Sequence, residues 1–148
     1  MNAADALAAA RELQLLHAPT TSVMFHGFSM EPLLKEGDQI VLEKIDFKNI
    51  RIGDIITYLY RDKYPTRRVV SKKRNELGLW CDNWPERQFS TQADKVLAKV
   101  VSRERDGAIL SHSDPGWKRL TNQALRHYRL ARIKNRFRRL YQRIIGGE

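Results

Sequence analysis

Residues 37–60 read GDQIVLEKIDFKNIRIGDIITYLY, and the punctuation of this stretch decides the fold class. Two Gly-Asp pairs, Gly37-Asp38 and Gly53-Asp54, each open onto a run rich in β-branched and aromatic residues, QIVLEKI and IITYLY. Glycine and aspartate favour turns, and β-branched runs bounded by turns read as strands. Working outward, SVMF (22–25) on one side and TRRVV (66–70) on the other repeat the pattern. Farther along, KVLAKVVSRER and AILSH flank Asp106-Gly107, a dipeptide suited to the left-handed positions of a tight turn, so a hairpin is predicted there. The centre of the chain is a β domain.

The ends read as helical. Residues Ala4 to His17 are good helix formers, and Leu7, Leu13 and Leu16 fall near one face, which predicts a short amphipathic helix stopped by Pro19. After Asp114-Pro115-Gly116 the period changes, with Leu130, Ile133, Phe137, Leu140 and Ile144 spaced three, four, three, four. The chain therefore divides into an N-terminal helix (1–19), a β domain (20–112) and a helical tail (113–148), a mostly β, α+β organisation.

With 148 residues the chain supports one hydrophobic core, and its 42% hydrophobic and 30% charged composition suits a folded, water-exposed protein. No stretch approaches the roughly 18 to 20 consecutive apolar residues that a membrane span needs, and the N-terminus lacks a basic segment leading into an apolar one. Cys81, the single cysteine, permits no internal disulfide and has no partners at metal-ligand spacing. The expectations are a cytoplasmic protein, peripheral at a membrane if the tail binds one, with no metal and no cofactor. The net charge of +10 is concentrated in the tail: residues 116–147 hold ten of the 27 Lys and Arg and no Asp or Glu.

Gly27-Phe28-Ser29-Met30-Glu31-Pro32-Leu33 sets a serine between a permissive glycine and a stiffening proline, a loop able to present a hydroxyl or to be a plain turn. It is followed in order by Gly37-Asp38, Arg51-Ile52-Gly53-Asp54-Ile55-Ile56, Arg67-Arg68-Val69-Val70 and Cys81-Asp82-Asn83. From about Val23 to about Arg105 these blocks resemble the boxes of the signal peptidases and, more distantly, the LexA-type self-cleaving repressor domains. The resemblance implies coiled β-sheets around a groove in which an extended peptide adds as a strand. It implies further that Ser29 is the nucleophile, with its backbone N–H as oxyanion donor, and that Met30, Arg68, Asp82 and Asn83 lie along the groove, the last two mainly as support.

One position departs from the pattern. The family's general base, a lysine or histidine just before Arg-Val-Val, is here Arg67, and arginine does not give up its proton under conditions a protein survives. Replacement bases are His26, Lys63, and Lys72 or Lys73, each of which also reads as an ordinary strand-end or surface residue. Cys81 reads as an inert, partly buried thiol, and Trp80 and Trp84 as closing the core or lining the groove.

Three function classes follow. The first is a non-hydrolytic peptide-binding homologue. The second is an active serine endopeptidase or self-cleaving protein that uses another base. The third is an adaptor that binds nucleic acid or membrane through the tail, where Arg129, Arg132, Arg136, Arg139 and Arg143 form an anion-binding face and Trp117, Phe137 and Tyr141 are candidates for insertion under phosphates. Against these stands a tail whose apolar stripe simply packs on the β domain.

Overall fold

Between the two Gly-Asp turns and the hairpin at Asp106-Gly107 the chain builds a mostly β fold, seen in a computed structural model that describes residues 18–146. The helix predicted over Ala4–His17 lies outside the described residues. Eight strands form an antiparallel sheet: β1 (Thr20–Met24), β2 (Gln39–Lys44), β3 (Ile55–Tyr58), β4 (Thr66–Lys72), β5 (Glu76–Cys81), β6 (Trp84–Gln92), β7 (Val96–Arg105) and β8 (Ala108–Ser111). The helix α1 (Pro115–Ile145) follows. The strand order is β1-β2-β7-β3-β4-β5-β6, and β8 pairs with β7 beyond the end of β3.

The predicted hairpin is present, with Asp106 at φ 51° and Gly107 at φ 78° carrying the turn between β7 and β8. The two Gly-Asp turns share one construction. In each, a glycine with positive φ, Gly37 (86°) or Gly53 (99°), precedes an aspartate whose carboxylate accepts the N–H three residues back, at 2.8 Å from Lys35 or Arg51. Each carboxylate also meets a cation on β7, Arg105 for Asp38 and Lys99 for Asp54. The sequence therefore pins both β2 and β3 to the long central strand.

Two strands lay outside the sequence reading. β5 and β6 form a hairpin across Asp82-Asn83, and β6 is exposed along most of its length. It holds strand geometry through pairing with β5, and an edge strand with a polar run and Pro85 carries no alternating signal.

Three apolar clusters organise the interior. Met30, Leu33 and Leu34 beneath the serine loop join Val23, Phe25, Ile40, Leu42, Val100 and Trp117. Ile50, Ile56, Tyr58, Val69, Leu77 and Leu79 form the second. In the third, α1 docks on the sheet by Ala124 and Tyr128 against Val70 and Trp80, whose ring meets Tyr128 edge-on at 5.7 Å. The helix docks by Trp117, Ala124 and Tyr128, and the periodic stripe does not pack on the β domain: Leu130, Ile133, Phe137, Leu140 and Ile144 are all more than half exposed. Trp117 is buried in the core and is no candidate for insertion into a membrane.

Candidate functional site: a serine loop facing an arginine

The serine loop is clamped from two sides. Glu36 accepts the N–H of Gly27, which sits at φ 106°, and its other oxygen lies 3.0 Å from His26 Nδ1. The Gly27 N–H and, after it, the His26 contact hold the Glu36 carboxyl below its usual range. On the far side, the N–H of Asn83 donates to the Ser29 carbonyl at 3.0 Å and its Nδ2 to the Phe28 carbonyl at 3.1 Å. The β5–β6 turn thus fixes where Ser29 points.

Ser29 borders a groove of about 670 Å³. One wall is β1 and its continuation through Phe25 to Phe28, and the floor includes Ile40, Leu42 and Thr57. The other wall is the segment Asp62–Arg67, with Asn83 and Trp84 at one end. Among the described residues β1 pairs with β2 at one end of the strand order, and its Val23 and Met24 line the groove.

Period-two alternation along β4 sends Arg67 and Arg68 to opposite faces. Arg67 enters the groove, where its Nη1 donates to Ser29 Oγ at 3.3 Å and to the Thr66 carbonyl at 2.8 Å. Its guanidinium stacks over Phe89 at 4.8 Å, and its Nε is buried with no hydrogen-bond partner among the described residues. Burial pushes the Tyr58 hydroxyl and the Cys81 thiol up, while the nearby Arg67 charge pulls both the other way. Cys81 is fully buried, and a thiol held protonated in that setting is a poor nucleophile.

Arg68 belongs to the opposite face and is fully buried. It grips Asp82 with two hydrogen bonds, one of 3.0 Å from Nε and a second from Nη2. Its Nη1 reaches the Gly53 carbonyl and Thr121 Oγ1 of α1, both at 2.9 Å. Burial pushes the Asp82 carboxyl up, opposed by the charge and hydrogen bonds of Arg68.

The expected groove residues therefore separate. Asn83 lines the groove, whereas Arg68 and Asp82 form a buried pair behind it, and Met30 is a fully buried core side chain. Met30 points inward because the turn that starts at its carbonyl, closed by the Leu34 N–H at 3.0 Å, lays Met30, Leu33 and Leu34 on the core.

His26 and Lys63 line the groove with Ser29, but among the described residues none of the replacement bases hydrogen-bonds its Oγ. His26 pairs with Glu36 and is exposed; Lys63 is exposed on the outer wall. Lys72 donates to the carbonyls of Phe47 and Ile50 at 2.8 and 2.9 Å, and Lys73 is exposed beyond the strand end. Among the described residues the side chain that hydrogen-bonds Ser29 Oγ is Arg67. Of the two tryptophans, Trp80 is core and Trp84 lines the groove. Phe89, which stacks on Arg67, had no signal in the sequence because β6 itself had none.

Among the described residues no group of His, Cys, Asp and Glu could hold a metal ion, and no helix is long and apolar enough to cross a membrane. No family model matches the chain, and comparison with curated proteins finds no match.

Proposed function

We propose that the chain is a signal-peptidase-like domain that holds an extended peptide in the groove bordered by Ser29 without hydrolysing it. The observation that carries this reading is the 3.3 Å contact in which Arg67 donates to Ser29 Oγ. A nucleophilic serine must give its proton to a base within hydrogen-bond reach, and a guanidinium offers donors only. The serine oxygen accepts from a cation, which draws electron density away from it. Support for peptide binding comes from the groove itself, with its apolar lining of Val23, Ile40 and Leu42 and the Arg67 cation suited to a carbonyl or carboxylate oxygen. A cytoplasmic location fits a chain whose one cysteine is buried.

The test is acylation by a fluorophosphonate probe. General-base catalysis contributes about a hundredfold to ten-thousandfold, so the protein should label at Ser29 slowly or not at all near neutral pH. Arg67→Lys and Arg67→His restore a group able to lose its proton and should raise labelling, the lysine variant most at high pH. Ser29→Ala in the same background should remove the gain. Rapid labelling of the unaltered protein would overturn the reading in favour of an active endopeptidase, with His26→Ala and Lys63→Ala next in line. Mass spectrometry of any peptide that co-purifies, intact or cut, identifies the occupant.

A further inference from the structure

Beyond Tyr128 no described residue of the helix is buried, and Arg132, Asn135, Arg136 and Arg139 line an open cleft with Glu86 and Gln88 of β6. Every residue from 132 to 146 is exposed, and from Leu130 to Ile145 there are six Lys and Arg and no Asp or Glu. Successive residues of a helix turn by about 100°, so Leu130, Ile133, Phe137, Leu140, Tyr141 and Ile144 share one arc of roughly 100°. The same geometry sets that arc on the far side of the helix, about 180° from the face by which Trp117, Ala124 and Tyr128 dock. The six side chains are between 52% and 73% exposed. Lys134 and Arg138 border the arc on one flank, and Arg136 and Arg143 on the other.

We propose that this outward stripe lies in the surface of an anionic lipid bilayer, with its apolar side chains beneath the headgroups and the flanking cations at the phosphates. A continuous apolar arc flanked on both sides by cations, on a helix of low mean hydropathy, is the pattern of helices that lie in the interface plane. The charge selects the occupant. A second copy of the helix would bring six more cations against the same stripe with no acid to offset them. A nucleic acid would satisfy the cations and leave the apolar arc in water.

The experiment uses the full chain and co-sedimentation with vesicles of phosphatidylglycerol and phosphatidylcholine, against phosphatidylcholine alone, at about 0.1 M salt, where exposed charges more than roughly 10 Å apart are largely screened. The protein should pellet with the anionic vesicles and stay largely in solution with the neutral ones. Phe137→Ser combined with Leu140→Ser should weaken anionic-vesicle binding by roughly a hundredfold, since two large apolar side chains leave the bilayer. Both positions are over half exposed, so the thermal midpoint in solution should be unchanged and a folding defect can be excluded. The proposal is overturned by failure of the unaltered protein to bind anionic vesicles, by equal binding of the double variant, or by a dimer in solution that the double variant converts to monomer. Duplex DNA bound more tightly than the vesicles, with no effect of the double variant, would assign the face to nucleic acid and equally overturn it.

Discussion

At Arg67 and Arg68 the pleat of β4 gives two identical side chains opposite surroundings. Arg67 faces the groove and Ser29 Oγ, while Arg68 is buried and ties α1, the Gly53 turn and Asp82 together through Thr121 Oγ1, the Gly53 carbonyl and a two-point ion pair. Because Asn83 follows Asp82 and holds both the Phe28 and Ser29 carbonyls, Arg68 also sets the backbone that positions the serine. Removing one member of a buried ion pair leaves the other charge without its partner. Arg68→Met should therefore destabilise the fold by about 3–5 kcal/mol, measured by urea titration. Arg67→Met at the groove wall should cost less, about 1–2 kcal/mol, since the bonds to Ser29 Oγ and the Thr66 carbonyl are lost without leaving a buried charge unpaired. Equal losses for the two variants would contradict the separation of their roles.

At the scale of elements, the Gly-Asp turns and the helix contact make two separate demands. Gly53 sits at φ 99°, and a Cβ there would lie 3.1 Å from Thr121 Cγ2 and 3.5 Å from Leu125 Cδ1. Gly53→Ala combines backbone strain with pressure on α1 and should lower stability by about 1–3 kcal/mol. The Asp38 turn carries a pH dependence. Burial pushes the Asp38 carboxyl up, but the Arg105 hydrogen bond, the Lys35 N–H and the Arg105 charge outweigh it and hold the carboxyl below its usual range. A depressed carboxyl pKa contributes stability above the ordinary aspartate range, and that stability is lost as pH falls through the range and below it. Unfolding free energy should decline on acidification below about pH 4, and Asp38→Asn should flatten the decline while costing about 2 kcal/mol at neutral pH. An unchanged acid limb in the Asp38→Asn variant would remove this assignment.

For the whole molecule, α1 is one helix with two environments. Its first half completes the core through Trp117, Ala124 and Tyr128, and its second half carries the cationic, outward-facing stripe. Ending the chain after Leu130 should leave the unfolding free energy within about 0.5 kcal/mol of the full protein while weakening retention on heparin, as surface changes away from packed contacts do little. Ending it after Pro115 strips the cover from Trp80 and Val70 and should destabilise by more than about 3 kcal/mol, the size of a large core deletion. If the shorter chain is as stable as the longer one, the docked half is not part of the fold's core.

The sequence by itself determined whatever is set locally. β-branched runs between Gly-Asp turns, the Asp106-Gly107 hairpin, the helix start at Asp114-Pro115 and the cationic tail were legible because turn chemistry, strand period and charge act over a few residues. The serine loop was legible in the same way, and Arg67 was expected opposite Ser29, whereas the expectation that also set Arg68 in the groove overlooked the pleat that turns it to the other face. Only the tertiary structure decided that Arg68 and Asp82 form a buried pair behind the groove. It also decided that Met30 and Trp117 are core, that a polar strand completes the sheet beside β5, and that the helical stripe turns away from the domain. Those outcomes depend on which surfaces compete for the same interior. Trp117, Ala124 and Tyr128 fill the available site on the sheet, and once it is filled the apolar stripe farther along the helix is left more than half exposed.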